Sequence, residues 1–262
     1  LDDVRVYSRT LSSAEVSTLF KLGQSALLAR STGENNPSVG INSGLVGYWT
    51  FDGKNMTSST STDSSGNGND GTLTNMTATS STRVGKLGQA LTFNGTSNYI
   101  NVGVGHYTFT KTTPFSGAVW IKTSNTAFQA IMSDWSLGVN PGWALSTSFL
   151  GTLDFGLTDA SSLNGRDGRG STFIADGKWH HVAFSYDGSN TIAGVKLYVD
   201  GRAETVSTVI NTDPGTLVDT GFRLSSLSSG GTYLQGSLDD IRLYNRVISA
   251  SEVKSLYKLG AQ

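Results

Sequence analysis

The two ends of the chain carry the same stretch. Leu1-Asp2-Asp3-Val4-Arg5-Val6-Tyr7-Ser8-Arg9 runs on to Leu22-Gly23, and Leu238-Asp239-Asp240-Ile241-Arg242-Leu243-Tyr244-Asn245-Arg246 runs on to Leu259-Gly260. The copies align without a gap, and their differences include Val for Ile, Val for Leu and Phe for Tyr. Each copy reads as a short strand and then a helix. In the second, Ile241 and Leu243 share one face of the strand, with Asp240, Arg242 and Tyr244 on the other. Ser249-x-x-Glu252 then forms a capping box ahead of an apolar stripe of Val253, Leu256 and Tyr257. Ser12-x-x-Glu15 does the same before Val16, Leu19 and Phe20. A self-match at so long a spacing is no solenoid period. It fits the end of one domain, a linker and a whole second domain. Residues 1–30 are therefore expected to be the orphan closing strand and helix of a preceding repeat. Residues 31–44 then form a flexible linker and 45–262 one domain.

From Leu45 onward the signals are nearly all β. Val46–Phe51, Ala90–Val102, Ala118–Lys122, Gly142–Ser146, Leu153–Leu157, Trp179–Tyr186 and Val195–Val199 read as strands, and Asp200-Gly201 as a tight turn. Many short strands separated by glycine-rich turns, with almost no helix, imply an antiparallel β-sandwich.

The net charge of −1 and the absence of a basic stripe argue against nucleic-acid binding. No cysteine is present, so disulfides and thiolate metal sites are excluded. No apolar run approaches a membrane-spanning length, so membrane insertion by a helix is not expected. Gly66-Asn67-Gly68-Asn69-Asp70-Gly71 matches a dinucleotide-binding pattern but lacks the preceding strand and following helix that bring phosphate to a helix N-terminus. Asp63-x-Ser65-x-Asn67 begins like an EF-hand loop, but Thr74 stands where the bidentate glutamate belongs.

An ordered set of motifs carries a family resemblance. It runs through Gly47-Tyr48-Trp49-Thr50-Phe51-Asp52-Gly53, Asp63-Ser64-Ser65-Gly66-Asn67-Gly68-Asn69-Asp70-Gly71 and Ala90-Leu91-Thr92-Phe93-Asn94-Gly95. It continues through Val119-Trp120-Ile121-Lys122, Gly177-Lys178-Trp179-His180-His181-Val182-Ala183 and Leu197-Tyr198-Val199-Asp200-Gly201, and ends in Leu238–Arg246. Over residues 45–260 the chain resembles laminin-G-like domains of the concanavalin A-like lectin/glucanase superfamily, in their bacterial branch. The resemblance implies an all-β, antiparallel jelly-roll β-sandwich, with a short strand-helix segment at the N-terminus and a short C-terminal helix. It also implies binding of carbohydrate or protein in an extracellular or cell-surface setting. Fold alone does not fix function.

Related jelly-rolls often hold a structural calcium at the head of the last strand. The resemblance places Asp239 there, with Asp52 and the carbonyl region of Asn94 and Gly95 as partners. The alternative is that Asp239 and Asp240 cap the strand or pair with Arg242. A retaining glucanase needs two adjacent carboxylates, yet the four glutamates (Glu15, Glu34, Glu204 and Glu252) cannot meet on one strand. Aspartate could replace them, and Asp154 and Asp159 lie in one region. No G-x-S-x-G elbow is present, and His180 and His181 belong to a strand motif. The expectation is that the chain is not an enzyme.

Trp49, Trp120, Trp143 and Trp179 fall in strand patterns and are expected in the core. Trp135 is the least patterned tryptophan and the candidate for stacking on a sugar, with Asp134 beside it to bind hydroxyls. Asn164, Arg166, Asp167 and Arg169 form a polar, glycine-rich segment that reads as a loop, either contacting ligand or simply solvated. The expectation is a non-catalytic module of an exported multidomain protein, binding a glycan or surface protein. The alternative is a self-assembling subunit of a surface fibre, with residues 1–30 as the inter-subunit connector.

Overall fold

In the computed structural model, the described residues are 40–107 and 109–261. The duplicated segment at residues 1–30, its suggested connector role and most of the expected linker lie outside them. In chain order the strands are β1 (Leu45–Trp49), β2 (Thr60–Ser61), β3 (Gly71–Thr74), β4 (Thr82–Val84), β5 (Gln89–Asn94) and β6 (Tyr99–Gly103). Then come β7 (Phe115–Lys122), β8 (Gln129–Ser136), β9 (Asn140–Thr147), β10 (Thr152–Thr158), β11 (Gly165–Phe173) and β12 (Trp179–Tyr186). The last are β13 (Val195–Val199), β14 (Arg202–Ala203), β15 (Ser207–Asn211), β16 (Phe222–Leu224) and β17 (Gln235–Tyr244). A one-turn helix α1 (Ala78–Ser81) precedes β4, and α2 (Ala250–Gly260) closes the chain.

The strands pair antiparallel in two sheets. One has eight strands in the order β14-β13-β12-β7-β17-β5-β4, with β1 also on β17. The other has nine, ordered β15-β11-β10-β9-β8-β16-β6-β3-β2. The expected all-β jelly-roll is thus the observed fold. The largest apolar cluster fills the space between the sheets, with Trp49, Phe93, Phe115, Trp143, Phe155, Phe184 and Phe222 fully buried. Alternation along each strand decides which side chains reach it. In β10, Leu153, Phe155 and Leu157 join this core, while Asp154, Gly156 and Thr158 take the outer face.

Strand β17 shows how the duplicated sequence works where it is described. Ile241 and Leu243 enter the inter-sheet core, and Tyr244 packs into a second cluster with Ile248, Val253 and Leu256 of the C-terminal segment. The helix starts as its sequence requires, with the Ser249–Glu252 capping box formed. It covers the outer face of the eight-stranded sheet, where Tyr257 stacks on Trp120 at 5.7 Å. Asp240 adopts φ +50° inside a register shift between β17 and β7. This bulge lets consecutive aspartates serve different partners. Trp179 departs from the core expectation: it begins β12 at the sheet end and is only half-buried.

Candidate functional site

The outer face of the nine-stranded sheet has no covering helix among the described residues. There the cross-strand register builds a trough from small and polar side chains. Ser146, Asp154 and Arg169 stand in one row across β9, β10 and β11, and Ala144, Gly156 and Asp167 in the next. At Gly156 the floor carries no side chain; a Cβ there would come 3.3 Å from Thr158 Cγ2 and 3.4 Å from Asp167 Cγ. The cavity encloses about 340 Å³. Its apolar walls are Phe128, Trp135, Leu137 and Phe149. Phe128 and Phe149 lie 6.0 Å apart, and Phe149 is 75% exposed. An exposed aromatic such as Phe149 beside convergent polar groups is what a sugar ring requires: an apolar face to stack on, and acceptors and donors for its hydroxyls.

The floor carries the charge. Arg169 Nε donates to Asp154 Oδ2 at 2.9 Å. Asp167 lies diagonal to Asp154 on the same face, and its Oδ1 is buried with no hydrogen-bond donor among the described residues. Burial, then the hydrogen bond and charge of Asp154, push the Asp167 carboxyl up to about 9, against the opposing pull of Arg169.

The sequence-derived ligand residues divide cleanly. Trp135, Asp167 and Arg169 line the trough. Trp135 is only 6% exposed, and its Nε1 donates to the Asp159 carbonyl at 3.2 Å, so it is a fixed wall rather than an open platform. Asp134 is buried and accepts from Thr220 N at 2.7 Å and Thr220 Oγ1 at 2.9 Å, which ties the Thr220 loop to β8. Burial, partly opposed by the Thr220 backbone bond, pushes its carboxyl up to about 6. Asn164 donates to Asp159 Oδ2 within the β10–β11 turn. The expected loop is in fact strand β11 from Gly165, so neighbouring side chains alternate between faces. Arg166 therefore sits on the opposite face from Asp167, and its Nε donates to the Asn190 carbonyl at 2.6 Å. Asp159 is saturated by Ser161, Leu163 and Asn164, and does not pair with Asp154. Sequence reasoning missed Phe128 and Phe149. It weighed Asp154 only as a catalytic group, although the inward Leu153-x-Phe155-x-Leu157 alternation already sent Asp154 to the outer face.

The residues expected to hold a metal are split. Phe51, fully buried at φ +58°, precedes Asp52, whose Oδ1 accepts from Gln89 N at 2.9 Å. Asp239 Oδ2 accepts from Lys86 N and Leu87 N, both at 2.7 Å, while its Oδ1 is buried without a partner. The two aspartates thus flank one turn, residues 85–89. Gly88 is required there: its φ is +66°, and a Cβ would fall 2.1 Å from Asp52 Oδ1. Burial, opposed by the Leu87 amide and reinforced by Asp240, pushes the Asp239 carboxyl up to about 7. Asn94 and Gly95 lie at the far end of β5, where Asn94 pairs with Gln235. Asn94 Oδ1 caps its own turn by accepting from Thr96, Ser97 and Asn98 amides. Asp240, not Asp239, pairs with Arg242, at 3.2 Å. Among the described residues no three His, Cys, Asp or Glu side chains gather as a metal cluster.

The histidines hold structure together. His180 bridges Asp200 at 2.9 Å and Asp176 at 3.1 Å. His181 packs edge-on against Trp120 at 5.3 Å, and His106 bonds Asn69. Asp63 is likewise satisfied, accepting from the Tyr48, Ser65 and Asn69 amides.

A laminin-G family model, described as the concanavalin A-like lectin/glucanases superfamily, matches residues 94–254. The chain belongs to that superfamily. Among solved structures, this superfamily member is similar to domain 4 of AbnA, a GH43 extracellular arabinanase from Geobacillus stearothermophilus, in complex with arabinotriose. Identity is 23% and the TM-score 0.60, covering 81% of this chain and 98% of that domain. It is also similar to the binding domain of Paraclostridial Mosquitocidal Protein 1, at 16% identity and TM-score 0.57, covering 83% and 52% of the two chains. The receptor binding domain of botulinum neurotoxin D aligns at 15% identity and TM-score 0.56, covering 83% and 53%. The chain spans about half the length of these two toxin domains. At such identities these likenesses speak to the fold alone. No curated protein sequence matches the chain. No helix among the described residues is long and apolar enough to cross a membrane.

Proposed function

We propose that the chain is a non-catalytic carbohydrate-binding module of an exported multidomain protein, and that glycan binds in the trough on the outer face of the nine-stranded sheet. The observation that carries this reading is the joining of exposed Phe149 and walled Trp135 to the Asp154–Asp167–Arg169 floor. The aromatics offer apolar ring contacts, and the floor offers directional hydrogen bonds. Asp154 is tied to Arg169 at 2.9 Å, which fixes it as an acceptor for sugar hydroxyls.

Calcium at the turn of residues 85–89 is part of the same proposal, as a structural ion. Asp52 and Asp239 would hold it, because both are hard oxygen donors and Asp239 keeps one buried oxygen without a partner. It would supply charge neutralisation between two carboxylates and fix the turn to β17.

The assignment of residues 1–30 to a preceding repeat belongs here as well. The described copy, β17, is hydrogen-bonded to β1, β5 and β7 and is buried from Leu238 to Tyr244.

Calorimetric titration of neutral oligosaccharides, arabinotriose first, into the protein and into Asp154→Asn tests the function. Binding that the variant loses supports the trough. Equal binding by both would remove it from the account.

A further inference from the structure

The polar floor places two carboxyls, Asp154 and Asp167, diagonally across β10 and β11 on one face with, among the described residues that line it, one cation, Arg169. Arg169 is already bonded to Asp154, so Asp167 has no counter-ion of its own. The residues paired with Asp167 on the neighbouring strands, Gly156 on β10 and Ile210 on β15, carry no charge, so the charged groups on its face are Asp154 on β10 and Arg169 on β11. Two ionised carboxylates at neighbouring positions of one face repel, and a buried carboxylate oxygen without a donor is further penalised. A protonated Asp167 removes both problems: its hydroxyl donates to the Asp154 carboxylate, which also accepts from Arg169.

Resting on the glycan-binding reading, we propose that Asp154 and Asp167 share one proton and so set the ligand class. The trough takes uncharged sugars, excludes uronic acids, and weakens its hold when the shared proton is lost. With the proton present, one carboxylate and one guanidinium cancel, leaving an uncharged floor that hydroxyls can bond. A sugar carboxylate would meet Asp154 with Arg169 already engaged. With the proton gone, the floor carries net negative charge and has lost a hydroxyl donor, so even neutral sugars bind less well.

The test pairs carboxyl-carbon NMR titration of the intact protein with binding of arabinotriose and trigalacturonic acid at about pH 6 and about pH 10, each checked for folding by circular dichroism. Asp167 is expected to titrate far above the ordinary aspartate value of about 3.9. Arabinotriose is expected to bind at the lower pH and at least about tenfold more weakly, about 1.4 kcal/mol, at the higher. Trigalacturonic acid is expected not to bind at either. Asp167→Asn keeps a donor toward Asp154 and is expected to bind arabinotriose equally at both. If Asp167 titrates in the ordinary range and arabinotriose binding ignores pH, the shared proton is overturned while the glycan site stands. If trigalacturonic acid binds as well as arabinotriose, the selectivity is overturned. Failure of all sugars overturns this proposal and the glycan reading together.

Discussion

Arg169 Nε lies 2.9 Å from Asp154 Oδ2 across the β10–β11 register, with Asp167 two residues before the arginine on the same face. One cation therefore serves two carboxyls. Arg169→Met leaves them facing each other without it. The side chain of Asp154 is 6% exposed and that of Arg169 29%, so the pair is screened less than a surface bridge but more than a fully buried one. The expected loss is about 1–3 kcal/mol in urea unfolding at neutral pH. Wild-type stability in this variant would show the arginine to be free of the pair.

Asp167 itself gives stability a pH slope. Its folded-state carboxyl is raised, so between about 4 and about 9 the native state holds a proton that the unfolded chain has lost. Its stabilising share is full below the unfolded value and is lost as pH rises through the folded one. Stability should fall across this window by at most about 1.4 kcal/mol per pH unit from this group. Asp167→Asn should flatten that decline, as read from melting temperatures at intervals of pH.

His181 acts in the opposite direction. Complete burial, partly offset by Asp240 and Asp200, lowers its imidazole to about 4. The unfolded chain takes up a proton below about 6.5 while the native state resists until about 4. Stability tied to His181 is present above this window and is lost as pH falls through it. His181→Phe, which also removes the unpartnered Nδ1, should flatten the acid arm of the stability profile. His180 is raised, chiefly by its bond to Asp200, so His180→Gln serves as the contrasting variant and should leave that arm intact.

Calcium binding by the native state alone should raise the melting temperature with ion concentration. Millimolar calcium is expected to stabilise the chelator-treated protein, by about 2.7 kcal/mol at a hundredfold excess over the dissociation constant. Asp239→Asn and Asp52→Asn should each abolish the response. Asn94→Ala should keep it, although loss of the turn cap lowers the baseline. A calcium response surviving in Asp239→Asn would move the ion elsewhere.

The sandwich was legible because strands announce themselves by alternation and glycine punctuation, as in Val195–Val199 before Asp200-Gly201. The helix start was legible because Ser249 and Glu252 satisfy each other's backbone locally. The site was less legible, since it depends on which distant strands become neighbours. Asp154 and Arg169 meet only through register, and Phe149 matters only because its turn stands beside Phe128. Asn164, Arg166 and Asp167 looked equivalent as a polar run. Pairing β11 with β10 sorted them, sending Arg166 to one face and Asp167 to the other. Asn94 was joined to Asp239 by resemblance, yet β5 holds it at the opposite end of the strand, where its side chain caps a turn.

The trough claim is tested most directly by amide shift mapping with arabinotriose on the intact protein, repeated on Phe149→Ser. Phe149 is exposed, so the variant should fold with unchanged melting temperature while binding several-fold more weakly. The predicted result is perturbation confined to amides of β8 to β11 and their turns, reduced in the variant. Perturbation centred instead on the cavity beside Asp200, Arg202 and Tyr257, or shifts identical in the variant, would contradict the account.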